Sequence, residues 1–109
     1  LNFDKWLRDI RNASRRKLVA VGAPAAFDFA YVRYYMVRFL GTDAPFGHSC
    51  IDMKSVASTL LRLPYFDSVK RNYRQPWFSD KFEHTHVAVE DAIEQGFLFA
   101  RMLDDINGK

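Results

Sequence analysis

Leu18-Val19-Ala20-Val21-Gly22-Ala23-Pro24-Ala25-Ala26-Phe27-Asp28 is the stretch that decides the fold. Its first five residues form a short apolar run fit for a buried strand. Ala23-Pro24-Ala25-Ala26 breaks that strand, and Asp28 opens a helix predicted over 27–40. A strand that passes directly into a helix marks the α/β class. Taken alone, Asp28 is an ordinary acidic residue at a helix N-terminus, favourable to the helix dipole. Its place at a strand–turn–helix junction makes it the first candidate for chemistry.

Upstream, Phe3, Trp6, Leu7 and Ile10 recur at i, i+3, i+4, i+7 with charges between them, which predicts an amphipathic helix over 3–13. Downstream, Phe27, Tyr31, Tyr34 and Arg38 fall on one line of the second helix, and Asp28, Val32, Tyr35 and Phe39 on another. Gly41 to Gly47 carries turn chemistry. His48 to Ile51 reads as a second short strand, and Asp52 as the cap of a third helix that Pro64 ends. Residues 64–85 lack clear periodicity, and a loop of that length is commonly functional. The last helix is predicted over about 87–106. Its stripe is Ala92, Gly96, Phe99, Leu103 and Ile106, flanked by Ile93, Phe97 and Ala100. The expectation is a single helix-rich α/β domain over 1–109, with two short strands and four helices.

The chain has 109 residues, which limits it to one domain near the small end of what buries a core unaided. A hydrophobic fraction of 49% and an aromatic fraction of 16% exclude a disordered chain. They also exceed what so short a chain needs, so either the chain is tightly packed or part of its apolar surface belongs against something else. The net charge of +3 is compatible with a polyanionic partner. The basic residues cluster at Arg8, Arg11, Arg15, Arg16 and Lys17, and again at Lys70, Arg71 and Arg74. These are either solvated ends or phosphate contacts. A lone cysteine, Cys50, excludes an internal disulfide framework and points to a reducing, cytoplasmic setting. No apolar stretch reaches the ~18 residues of a membrane span.

A second stretch carries chemistry: His84-Thr85-His86-Val87-Ala88-Val89-Glu90-Asp91-Ala92. His86 stands five residues before Asp91, at the start of the last helix. Bland readings exist for each, a polar helix-start residue and a helix-flank salt-bridge partner. A carboxylate beside the buried face is unfavourable, however, unless it is paired or holds a cation.

Together the two stretches resemble the DnaQ-like 3′–5′ exonucleases, whose fold is RNase H-like. Ala23-Pro24-Ala25-Ala26-Phe27-Asp28 is similar to their second motif. His86-Val87-Ala88-Val89-Glu90-Asp91-Ala92 is similar to the third motif of the His-x4-Asp subgroup. Phe46 to Ser55 falls where that fold has its last strand and the following helix. The resemblance implies Asp28 and Asp91 as metal ligands, His86 as general base, and Mg²⁺ or Mn²⁺ in a two-metal site. It implies the 3′ end of single-stranded DNA or RNA as partner, and a nucleoside 5′-monophosphate as product. Phe27, Tyr31 and residues of the 64–85 loop are candidates for stacking on bases.

The family's first motif, Asp-x-Glu, has no counterpart: no aspartate in the chain is followed two residues later by glutamate. The chain also opens on Leu1 rather than Met. The expectation is therefore the C-terminal portion of an exonuclease domain, with a partial fold that lacks its central strands. Such a piece is expected to bind metal weakly, to show little or no nuclease activity, and to self-associate or dock on a missing N-terminal segment. The competing function is a non-catalytic nucleic-acid-binding or assembly module of the same fold. A third reading, a helical protein with a chance motif match, predicts no strand at 18–22 directed toward Asp28.

Overall fold

The computed structural model describes residues 2–78 and 87–109. They fall into two compact units, Leu1–Asp52 and Met53–Lys109.

In the first unit, α1 spans Asn2–Ser14. Its i, i+3, i+4, i+7 stripe and an Asp4–Arg8 ion pair at 3.1 Å favour the helix, yet only Leu7 is fully buried. The strand β1 (Ala20–Gly22) pairs in parallel with β2 (Cys50–Asp52), in the register Ala20 to Cys50, Val21 to Ile51 and Gly22 to Asp52. Parallel neighbours need a crossover, and α2 (Ala25–Leu40) supplies it. Both strands are shorter than expected at their N-terminal ends: residues 18–19 and 48–49 lie outside the ladder. A strand at 20–22 leading into Asp28 departs from the all-helical arrangement that the chance-match reading predicts. The helix α2 ends at Gly41, whose φ of 73° is the left-handed conformation that favours glycine, and whose N–H closes on Val37 O at 3.1 Å. Arg33 Nε bonds Asp43 Oδ2 at 3.1 Å, and the Phe29 and Phe46 rings meet edge to face, so the loop after α2 is tied back onto it.

In the second unit, α3 spans Met53–Leu61 and α4 spans Ala88–Ile106. Between them, three short 3₁₀ turns occupy Tyr65–Asp67, Lys70–Asn72 and Gln75–Trp77. The sequence predicts only an unpatterned loop there. The turns instead bring Tyr73 and Trp77 into the core beside Met53, Ala57, Leu98 and Met102. Two of the loop's aromatics are thus structural rather than available to bases.

The rotation of α4 also differs from expectation. Leu98 and Met102 are the buried residues, while Ile93, Leu103 and Ile106 are exposed. The cause is polar. Trp77 is 1% exposed, and its Nε1–H must find an acceptor. It donates to Asp105 Oδ2 at 2.7 Å, and Arg74 Nη1 donates to the same oxygen at 2.7 Å. Asp105 shares the i, i+4, i+7 line of Leu98 and Met102, so satisfying the indole turns that line inward. Ala92 and Gly96 on the predicted stripe offer too little apolar area to compete.

Candidate functional site

The junction between β1 and α2 is shaped by how closely the helix approaches the strand. A Cβ built on Gly22 would lie 3.0 Å from Ala25 Cα and 3.4 Å from Asp28 Cβ, so the first turn of α2 packs onto bare backbone. That contact brings Asp28 to the C-terminal end of the sheet, where open parallel sheets present their ligand crevice. Asp28 lies in the first turn of α2 and is exposed. Its Oδ2 accepts the Ala23 N–H at a long 3.4 Å, and Oδ1 has no hydrogen-bond partner among the described residues.

A second carboxylate reaches the same turn. Asp52, the last residue of β2, stands beside Gly22 in the ladder, and its Oδ1 accepts the Ala25 N–H at 2.9 Å. Ala25 is the first residue of α2, and its N–H is one of the donors a helix start leaves open. Pro24 at the cap position provides no side-chain acceptor, so Asp52 from the neighbouring strand takes that role. The sequence suggests Asp52 as a cap for the following helix. Its bond to α2, 27 positions away, carries no sequence signal except the adjacency of two strands.

Two carboxylates, Asp52 and Asp28, stand at this turn, and Cys50 feels both. Burial pushes the Cys50 thiol above its ordinary value, and the charges of Asp52 and then Asp28 push it further, against a lowering hydrogen bond with the Gly22 backbone. These effects favour the neutral thiol over the thiolate. What the turn offers is hard oxygen donors in a field that attracts cations, the chemistry preferred by Mg²⁺ and Mn²⁺.

Asp91 lies in the first turn of α4, half-buried, on the line that continues through Leu98. Its N–H donates to Val87 O at 2.9 Å. His86 and His84 lie outside the described residues. Among the described residues, no group of three or more His, Cys, Asp or Glu side chains gathers closely enough to hold a metal ion. Of the candidate stacking residues, Phe27 and Tyr31 are both exposed and meet edge to face at 5.4 Å on α2. No helix is long and apolar enough to cross a membrane among the described residues.

Comparison with known proteins gives one reference point. The chain is 29% identical over 113 aligned positions to the 3′-5′ DNA exonuclease Cap18 of Escherichia coli, an alignment covering 100% of this chain and 56% of that protein. The chain thus spans about half the length of that relative. No family model matches the chain, and no solved structure matches it. The similarity supports a distant exonuclease relationship, and the helix-rich α/β architecture with two parallel strands is compatible with part of an exonuclease fold.

Proposed function

We propose that the chain forms part of a metal-dependent 3′–5′ exonuclease of the DnaQ-like, His-x4-Asp kind, with a partial RNase H-like fold. The observation that carries the reading is the β1–α2 turn, where Asp28 is held at the C-terminal end of a parallel ladder with a carboxylate oxygen open. Similarity to an exonuclease along the whole chain supports it. In this reading Asp28 and Asp91 supply oxygen ligands, and His86 takes the proton of the attacking water, a task suited to an imidazole that titrates near neutrality. Bound Mg²⁺ or Mn²⁺ would neutralise charge on the phosphodiester. Water adds at the terminal phosphorus, the 3′-oxygen of the preceding nucleotide leaves, and a nucleoside 5′-monophosphate is released. DNA is the favoured strand, because the similar protein is named a DNA exonuclease.

Asp52 acts through the backbone. By holding Ala25 N–H it fixes the helix start from which Asp28 projects. With two aspartates and a histidine but no Asp-x-Glu pair, the chain is expected to hold the ion weakly and to hydrolyse little by itself.

Titration with Mn²⁺ followed by calorimetry tests the reading. Weak binding that disappears in both Asp28→Asn and Asp91→Asn is expected. Binding unchanged in either variant contradicts the ligand assignment. Efficient metal-dependent release of mononucleotides by the 109-residue chain contradicts its incompleteness. Strand binding with no metal dependence would favour the non-catalytic module.

A further inference from the structure

Where α1 ends, Arg11, Arg15, Arg16 and Lys17 surround a hollow of about 300 Å³ with Asn12 on its wall. All four cations are exposed. Arg8, Arg33, Lys70 and Arg74 each pair with a carboxylate. None of the four around the hollow pairs with a carboxylate or covers an aromatic ring among the described residues. The backbone holds them together. Arg15 N–H closes on Arg11 O at 2.9 Å, and Arg16 N–H donates to Ser14 Oγ at 3.3 Å. Arg15 takes φ 55°, the left-handed conformation in which glycine is the ordinary residue after a helix. A cation stands here where the backbone favours no side chain at all.

Concentrated positive charge with no counter-charge, presented by three guanidinium forks, matches the geometry of phosphate oxygens. We infer that this hollow takes a phosphate of the nucleic-acid strand whose 3′ end meets the β1–α2 turn, an inference that rests on the proposed nuclease reading. The two places lie at opposite ends of β1. Lys17 and Gly22 are five residues apart, at most about 17 Å of extended chain, which about five stacked nucleotides would span at ~3.4 Å each. An anionic membrane is the other polyanion to weigh, since α1 exposes Phe3 and Trp6. Interfacial helices, however, carry cations along their polar face. Here Asp4 and Asp9 offset most of the charge of Lys5, Arg8 and Arg11 on α1, and three of the four cations around the hollow, Arg15, Arg16 and Lys17, lie beyond the helix.

The test is binding of a fluorescent, 3′-blocked 12-nucleotide DNA strand in EDTA, measured against salt concentration for the wild-type chain and Arg15→Gly/Arg16→Gln. Each phosphate neutralised on a single strand adds about 0.7 to the salt slope, so losing the one held in the hollow should lower it by about 0.7. Arg15→Gly alone should melt no lower than wild type, which separates lost binding from lost folding. An unchanged slope, or a wild-type chain that does not bind the strand, overturns the inference. So does a variant that loses affinity only for phosphatidylserine vesicles. The two readings fail separately: a lowered slope supports the hollow even if Mn²⁺ binding ignores Asp28, and an unchanged slope removes the hollow even if Mn²⁺ binding requires Asp28.

Discussion

The two units differ in how far each satisfies its own apolar surface. Unit 2 buries Trp77, Met53, Leu98 and Met102 almost completely, and gives the indole N–H an acceptor in Asp105. Among its described residues unit 1 fully buries only Leu7, Phe29, Met36 and Gly22, while α2 presents Phe27, Tyr31, Tyr34, Tyr35 and Phe39 outward, Phe39 at 63% exposure. Phe3, Val32, Tyr35, Met36, Phe39 and Leu40 line a groove of about 620 Å³ there. A helix apolar on most sides belongs in an interior. Unit 2 has a packed centre although it leaves Phe66, Val89, Ile93 and Ile106 exposed, whereas unit 1 gathers its exposed aromatics on α2, the helix that carries Asp28.

The sharpest way to break this contrast is Trp77→Ala. Losing a fully buried indole should cost about 3–5 kcal/mol, read by urea unfolding followed by circular dichroism. A loss below ~1 kcal/mol would mean that unit 2 is not organised around Trp77. The opposite substitution, Tyr35→Ser with Phe39→Ser, should barely alter folding stability, since exposed positions change it by within about 0.5 kcal/mol. It should instead weaken self-association by about tenfold or more in sedimentation experiments. A wild-type chain that runs as a monodisperse monomer would contradict an interior place for α2.

Much of this contrast was legible in the sequence, and the reasons for the remainder are specific. The strand–turn–helix around Asp28 could be read because Pro24 and the apolar run before it are local signals. The aromatic excess was visible in composition, but its location on α2 was not, because that helix carries apolar residues on several lines at once. Apolar periodicity misplaces the rotation of α4 because Asp105, a charged residue, fixes it. Polar anchors are invisible to apolar periodicity. The 65–77 turns escaped because 3₁₀ segments of three residues leave no period to detect. His86 could be named from the motif alone, and it lies outside the described residues.

Asp52→Ala sharpens the contrast at smaller scale. Losing a helix-start acceptor should cost ~1 kcal/mol, seen as a lowered Tm, with Asp52→Asn recovering part of it. No change would mean that α2 starts equally well without β2.

The smallest effect concerns acid. Hydrogen bonds from Trp77 and then Arg74 hold the Asp105 carboxyl below its ordinary range, with burial opposing them and the Arg74 charge assisting. A depressed folded-state value adds stability that is fully present above the unfolded value of ~3.9 and fades as pH falls through the folded one. Stability should therefore decline on the acid side of about pH 4, and Asp105→Asn should flatten that decline. An identical acid profile in the variant would remove Asp105 as its source.

The most direct test of the exonuclease reading is ¹⁵N-resolved NMR of the chain during titration with substoichiometric Mn²⁺, whose unpaired electrons broaden nearby amide signals. Selective broadening of both Ala23–Asp28 and His86–Asp91, abolished by Asp28→Asn, is the expected result. Broadening confined to one of these segments, or spread evenly over the surface carboxylates, would contradict a shared metal site.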